Sequence, residues 1–573
     1  MLHRFLIVFV ISFNAWAQDS YIDYPSPYHP TINQRGMVVS QNIDSSKIGI
    51  EILNMGGNAI DAAVAVGFSL AVTLPRAGNL GGVGFMLVYL KQRNEIIAVD
   101  YLGSSPRNSN IQDLFGVTLP RNYEKADRDI VRYGYKASTV PGTVAGLIEA
   151  HTNFGRLPLS SVLKPVIEQA RNGIRVSYDL HMALKSEPQL RRDEESRKIF
   201  FRNGSAVAEN TILKREDLAQ TLEKIAAEGK KAFYEGEVAQ KIVDAMNNNG
   251  GFISLEDLKN YKPRFSEPIR TAYRGHPIFA PQPPSGGAIV VLDALNILEN
   301  FGLGKYKSNS TVTYHLLGEA LRRGHMDRSR HIGDPSFYDV PVEKIISKKR
   351  ARELAKTINF KSASSYKSMS PDDFLEESKD TTHYSIVDED GNAVSNTYTL
   401  GYSFGSGVTI PGTGILMNNH MNNFAYQYGD RSIRGRTASP ANKFDSGKRP
   451  MSTMTPVMIF NRDGDLQLIT GSPGGAEIPA AVLRVITGVI DFDLGIGEAT
   501  MLPRIHKDWP YEDFDYETTV SSDVISILRE KLGHRTEASD TMGSTQSIYI
   551  NDGFNQGYAD LRRPNAGVAI QHD

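Results

Sequence analysis

The chain of 573 residues contains no cysteine. That absence removes disulfides, thiolate nucleophiles and cysteine-held metals from consideration. Neither sign of charge is in excess: 63 Lys and Arg stand against 65 Asp and Glu. Nothing global therefore points to nucleic acid or to an anionic membrane. His383, His420 and the pair His325 and His331 show no zinc-ligand spacing. The glycine-rich stretch at 75–86 is not closed by Lys-Ser/Thr and sits in no strand–turn–helix unit, which excludes a phosphate-binding loop. No cofactor and no metal are expected. There is no internal repeat and no low-complexity segment, and the apolar run at 5–12 is too short for a comfortable membrane span.

What is present is ordinary globular composition, 40% hydrophobic and 22% charged, in a chain long enough for a large core or two domains. His3 and Arg4 precede the apolar run, and Ala15-Trp16-Ala17 fits the small-x-small cleavage rule. Residues 1–17 therefore read as a secretory signal, with a mature start near Gln18 in the periplasm or outside the cell; the alternative is a buried first helix. Residues 56–67 carry Ala and Val around the whole circumference, predicting an internal helix with Asn58 as its cap and Asp61 in its first turn. Residues 158–265 are mostly of helical period, as covers for a sheet would be. Strands are expected at 85–90, 96–101, 269–273 and 276–279. The Ser-, Lys- and Asp-rich stretch 359–379 reads as a mobile tail or a surface loop.

One stretch organises the rest. The polar loop 376–380 runs into the alternating segment Thr381-Thr382-His383-Tyr384-Ser385-Ile386-Val387. Asp390-Gly391-Asn392 supplies a turn, and residues 393–400, rich in Thr, Val and Tyr, give a second strand. This predicts a hairpin, with Thr397 and Thr399 on one face. Without further information Thr399 is an ordinary β-former, and residues 471–475 are a glycine turn between a strand and a helix. The run TTHYSIVDEDGNAV, with GTGILMNNHM and GSPGG downstream, closely resembles the gamma-glutamyltransferase (glutathione hydrolase) family of N-terminal-nucleophile amidases. The likeness spans about residues 35–570.

The resemblance implies an α+β fold, a four-layer αββα sandwich with helices outside two stacked antiparallel sheets. It implies a precursor that cuts its own Asp380–Thr381 bond into a large subunit, 18–380, and a small subunit, 381–573. Both pieces would share one fold, the first supplying helices and edge strands and the second the central hairpin. Thr381 becomes the nucleophile, and the amine freed on the same residue becomes its base; an alcohol needs such a neighbour. The matching position assigns Thr399 to assist the nucleophile. Gly474 and Gly475 match the oxyanion-hole pair, and Ser452 with Thr453, in place of a second serine, match the residues that hold the substrate's α-carboxylate.

The head-group site departs from the family pattern. Leu102 stands where an arginine grips the α-carboxylate; Arg76, Arg107, Arg121 and Arg128, or Arg431, Arg434 and Arg436 in a lid at 427–449, are the cations that could replace it. Gly401 stands for an asparagine, His420 for a glutamine, and Asn423 for the aspartate that pairs with the α-ammonium. The implied substrate is a gamma-glutamyl amide, resolved by water or by an amine acceptor. The alternative is an acylase for glutaryl-type groups without the α-amino group, as in members resembling cephalosporin acylases. Residues 560–564 match a terminal turn of structural role, and 281–287 match a Pro-Ser-Gly segment of the family.

Overall fold

Alternation along the hairpin sets the architecture. In the computed structural model, which describes residues 26–116, 125–364, 380–428, 431–432 and 440–572, the strands Thr382–Val387 and Ala393–Thr399 pair antiparallel. His383 lies opposite Thr397 and Ser385 opposite Ser395. Both strands are buried on both faces. Their even-numbered residues, Tyr384, Ile386, Val394 and Tyr398, join a core shared with helices. Two phenol groups there reach helical carbonyls, Tyr384 donating to Ala63 O at 2.9 Å and Tyr398 to Gly67 O at 2.7 Å. The helix that receives them, Ala59–Thr73, is buried along its whole length and starts at a capping box of Asn58 and Asp61, as the sequence predicts.

The odd-numbered residues face a second sheet. At the turn end this face is apolar: Val387 and Ala393 pack with Met37, Val39, Leu87, Met458 and Ile469. Towards Thr381 it becomes polar and cross-linked. Ser385 donates to Gln546 O at 2.8 Å, Ser395 to Thr470 O at 3.2 Å, and His383 bridges Thr397 and Ser385. A polar interior is tolerable when its groups are paired in this way.

Each sheet has seven strands, and every pairing in them is antiparallel. The first runs Gly567–Ile570, Met37–Ser40, Thr382–Val387, Ala393–Thr399, Val83–Leu90, Glu95–Asp100, Arg264–Ser266. The second runs Thr31–Asn33, Phe554–Ala559, Gln546–Asn551, Leu466–Thr470, Val457–Phe460, His276–Ala280, Ile269–Tyr273. One core lies between the first sheet and its helices, one between the second sheet and helices including Gly286–Leu298 and Ile478–Phe492, and a third between the sheets. The expected four layers are therefore present. The division of labour differs from expectation in one respect. Residues after 381 supply the centres of both sheets and the edge strand Gly567–Ile570, while residues before 380 supply the interior strands Met37–Ser40, Val83–Leu90, Glu95–Asp100 and His276–Ala280 as well as edges.

Among the described residues no helix is long and apolar enough to cross a membrane. The expected leader at 1–17, the part of the expected tail at 365–379, Arg121, Arg434 and Arg436, and the side chains of Arg128 and Arg431, lie outside the described residues.

Candidate active site

Thr381 sits at the polar end of the inter-sheet face, where the hairpin stops. Its side chain is buried. Its Oγ1 donates to Thr399 Oγ1 at 3.5 Å, a long contact at the outer edge of hydrogen bonding. The Thr399 hydroxyl donates in turn to the Asp380 carbonyl oxygen at 2.8 Å and accepts from Gly401 N at 2.9 Å. One hydroxyl thus touches both the prospective nucleophile and the carbonyl of the bond that precedes it.

Gly401 contributes its backbone N–H here. At φ +104° an added Cβ would lie 2.0 Å from Asn419 Oδ1, so the asparagine expected from the resemblance has no room in this arrangement. Asn419 Oδ1 instead accepts from Tyr402 N at 3.0 Å.

Gly474 and Gly475 form the turn between Leu466–Thr470 and the helix Ile478–Phe492, at φ +132° and +56°. Only glycine adopts both readily. Gly475 reaches the pocket beside Thr381. The turn is braced from behind: Ser472 Oγ accepts from Ser544 N at 2.9 Å, and Gly543 Cα lies 3.0 Å from where a Cβ on Gly474 would sit.

The pocket is about 50 Å³ in the uncut chain and brings together most of the expected residues: Thr381, Thr399, Gly401, His420, Asn423, Ser452, Thr453 and Gly475. Ser452 is fixed by two backbone bonds to the 281–287 segment, Ser452 N to Pro284 O at 3.0 Å and Gly286 N to Ser452 O at 2.7 Å. That packing is the structural use of the Pro-Ser-Gly segment. Asn423 directs its amide nitrogen at Met451 O, 3.3 Å, and at His420 Nδ1, 3.4 Å. No carboxylate, and no Lys or Arg, lines this pocket among the described residues.

Leu102 is not brought to the site. It is fully buried in the core of the second sheet and its helices, with its N–H bonded to Asp100 Oδ1 at 2.8 Å and its carbonyl to Tyr261 Oη at 2.9 Å. An apolar side chain at this point gains more from the core than from a polar pocket. Of the cations that could replace the missing arginine, Arg107 is exposed, and Arg76 bonds to Asp380. Sequence reasoning also missed Tyr402, Met451 and Met454 in the pocket wall; apolar and aromatic residues carry no chemical signature in a sequence.

One group among the described residues has metal-ligand geometry: His315, Glu319 and His534. Its lone pairs are already taken. His315 Nε2 donates to Asn359 O at 2.9 Å, so its Nδ1 accepts from His534 Nε2 at 2.8 Å. His534 Nδ1 then accepts from Lys507 at 3.2 Å, and Glu319 holds Arg323 at 2.7 Å. Burial and Lys507 push His534 down to about 3. This is a neutral relay beside cations, not a cation site. A cleft of about 800 Å³ between Phe154, Phe265, Phe279 and Phe460 contains none of the residues singled out above.

The sequence profile of the gamma-glutamyltranspeptidase family matches residues 45–570. The glutathione hydrolase proenzyme of Escherichia coli strain K12 is 39% identical over 539 residues, covering 93% of this chain and 92% of that one. The acylase ACY 1 proenzyme of Pseudomonas sp. strain V22 is 34% identical over 553 residues, 96% of each chain. The crystal structure of cephalosporin acylase from Bacillus halodurans superposes with a TM-score of 0.85 at 28% identity, covering 97% of this chain and 99% of that one.

Proposed function

Because this chain belongs to the gamma-glutamyltranspeptidase family, and so is an N-terminal-nucleophile enzyme that processes itself into two chains, we propose that Thr381 is the nucleophile of both its maturation and its turnover. In the uncut chain the Thr381 hydroxyl attacks the Asp380 carbonyl carbon while the Thr399 hydroxyl donates to the carbonyl oxygen. The cut leaves large and small subunits divided between Asp380 and Thr381. The freed α-amine, with an ordinary pKa near 7.7–8.0, then takes the Thr381 hydroxyl proton during attack on a substrate amide. The N–H groups of Gly474 and Gly475 receive the oxyanion. The amine product leaves, and water or an acceptor amine resolves the acyl-enzyme.

The observation that carries this reading is the placement of Thr399, 3.5 Å from the Thr381 oxygen and 2.8 Å from the carbonyl oxygen of the preceding bond. Thr381→Ala should give a single uncut chain with no amidase activity, and Thr381→Ser should still cut. An Ala variant that matured and turned over substrate would remove Thr381 from the mechanism.

The substrate class proposed is the gamma-glutamyl amide, with Ser452 and Thr453 holding the α-carboxylate and His420 and Asn423 facing the α-amino group. A second reading is favoured by one observation: among the described residues, the pocket wall offers no carboxylate to an ammonium. On that reading the enzyme is an acylase for glutaryl-type amides; of the similar proteins, one is named an acylase and one a cephalosporin acylase. Comparing kcat/KM for gamma-glutamyl and glutaryl anilides separates the two. The leader-like residues 1–17 support export to the periplasm or beyond.

A further inference from the structure

The residue before the scissile bond is held by its side chain as well as by its backbone. Asp380 Oδ1 accepts from Arg76 Nη2 at 2.5 Å. The other arm of the same guanidinium, Nη1, donates to both oxygens of Asp179, at 3.1 and 3.2 Å. The arginine and Asp380 side chains are each 16% exposed and that of Asp179 is 20%, so the chain of charges is largely withdrawn from water. Each end is anchored. Arg76 follows the buried helix Ala59–Thr73, and its carbonyl accepts from Phe404 N at 2.9 Å, tying it to the loop after Gly401. Asp179 lies in the first turn of the helix Tyr178–Ser186, which is capped by Ser177. Glu187, just beyond that helix, is near enough to Asp380 that burial and the Asp380 charge push its carboxyl up to about 7.

An aspartyl residue with a free side chain rotates about its Cα–C bond and moves its carbonyl with it. A charge-assisted contact from a fixed guanidinium holds the Asp380 Cα and Cβ in place and so narrows the range over which the residue, and its carbonyl with it, reorients. Here the carbonyl so fixed is the one that accepts from Thr399. We infer that Arg76 is a positioning residue for self-cleavage: its bridge from Asp179 to Asp380 aims the scissile carbonyl at the hydroxyls of Thr381 and Thr399. This rests on the reading of Thr381 given above. The step balances without a further reagent. The Thr381 Oγ–carbon bond forms as the Asp380 C–Thr381 N bond breaks, and the hydroxyl proton finishes on the Thr381 nitrogen. Water then hydrolyses the ester, restoring the hydroxyl and leaving an α-carboxylate on Asp380.

The test follows the full-length chain by pulse labelling, with the appearance of the fragment that begins at Thr381 read by intact mass and terminal sequencing. Loss of orientation of this kind costs about 10–100-fold in rate. Arg76→Ala and Asp380→Asn should each slow the cut by about that factor, Arg76→Lys, which keeps the charge without the two-armed fork, should recover only part of the rate, and the Arg76→Ala/Asp380→Asn double variant should be no slower than the worse single variant. Asp380→Asn leaves the Arg76–Asp179 pair in place, so it carries the test if Arg76→Ala misfolds by thermal melting. Unchanged rates in Arg76→Ala and Asp380→Asn, or single effects that multiply, would overturn the inference. A wild-type cut at another bond would instead overturn the Thr381 reading, leaving the two failures distinct.

Discussion

Asn423→Asp tests whether the head-group pocket has been retuned away from an α-amino group. In the wild type the Asn423 amide nitrogen lies 3.3 Å from Met451 O and 3.4 Å from His420 Nδ1. Aspartate places an oxygen where that donor was, and with the pocket empty it loses both of these long bonds, a cost of about 1 kcal/mol in all. With an α-ammonium bound, the carboxylate gains a buried charge pair, an interaction of about 2–5 kcal/mol. The net is about 1–4 kcal/mol in favour of gamma-glutamyl substrates, roughly 5-fold to several hundred-fold in relative affinity. A glutaryl substrate has no ammonium and should gain nothing. The assay is kcat/KM for matched gamma-glutamyl and glutaryl p-nitroanilides, wild type against variant, read as the ratio of the two. A ratio that fails to move, or a gain shared equally by both substrates, would refute the assignment of Asn423 to the amino side of the pocket.

Three other outcomes are expected. In Gly471→Ala the new Cβ would lie 2.4 Å from the His383 ring, which is held by Thr397 at 2.8 Å and Ser385 at 3.1 Å; overpacking of this kind costs about 1–3 kcal/mol, more if the ring loses its bonds, and denaturant melts should show it with a fall in kcat as the 471–475 turn, the proposed oxyanion site, shifts. His383 is buried and its pKa is pushed down to about 3 by desolvation, so the unfolded chain, titrating near 6.5, takes the proton first. Stability should therefore be full above about pH 6.5 and fall towards pH 3; His383→Gln should flatten that slope, and identical slopes in urea melts would count against it. The Arg504–Asp560 pair is fully buried at 2.6 Å, and Asp560 also accepts from Thr545 N at 2.9 Å; Asp560→Ala should cost about 3–5 kcal/mol in urea melts by leaving Arg504 without its counter-ion.

The hairpin, the buried small-residue helix with its Asn58 cap, and the glycine turn at 471–475 were legible because each is decided by neighbours in sequence. What was not legible is decided across the fold. Arg76 and Asp380 are 304 residues apart, and nothing local to either names the other. His315 and His534 lie 219 residues apart and form their relay only because two helix-rich segments converge. Leu102 shows the opposite limit. Its position in the resemblance pointed to the head-group pocket, but a leucine there is drawn into the core, and the backbone bonds to Asp100 and Tyr261 fix it there.

Strand order has a consequence for what exists after maturation. The proposed cut before Thr381 would yield pieces that interleave in both sheets: Met37–Ser40 from the first piece borders Thr382–Val387 from the second, Ala393–Thr399 borders Val83–Leu90, and His276–Ala280 borders Val457–Phe460. The products are laced together like interlocked fingers, along several backbone seams at once. Dissociation would have to rip both sheets, so the two pieces are expected to persist as one folded unit.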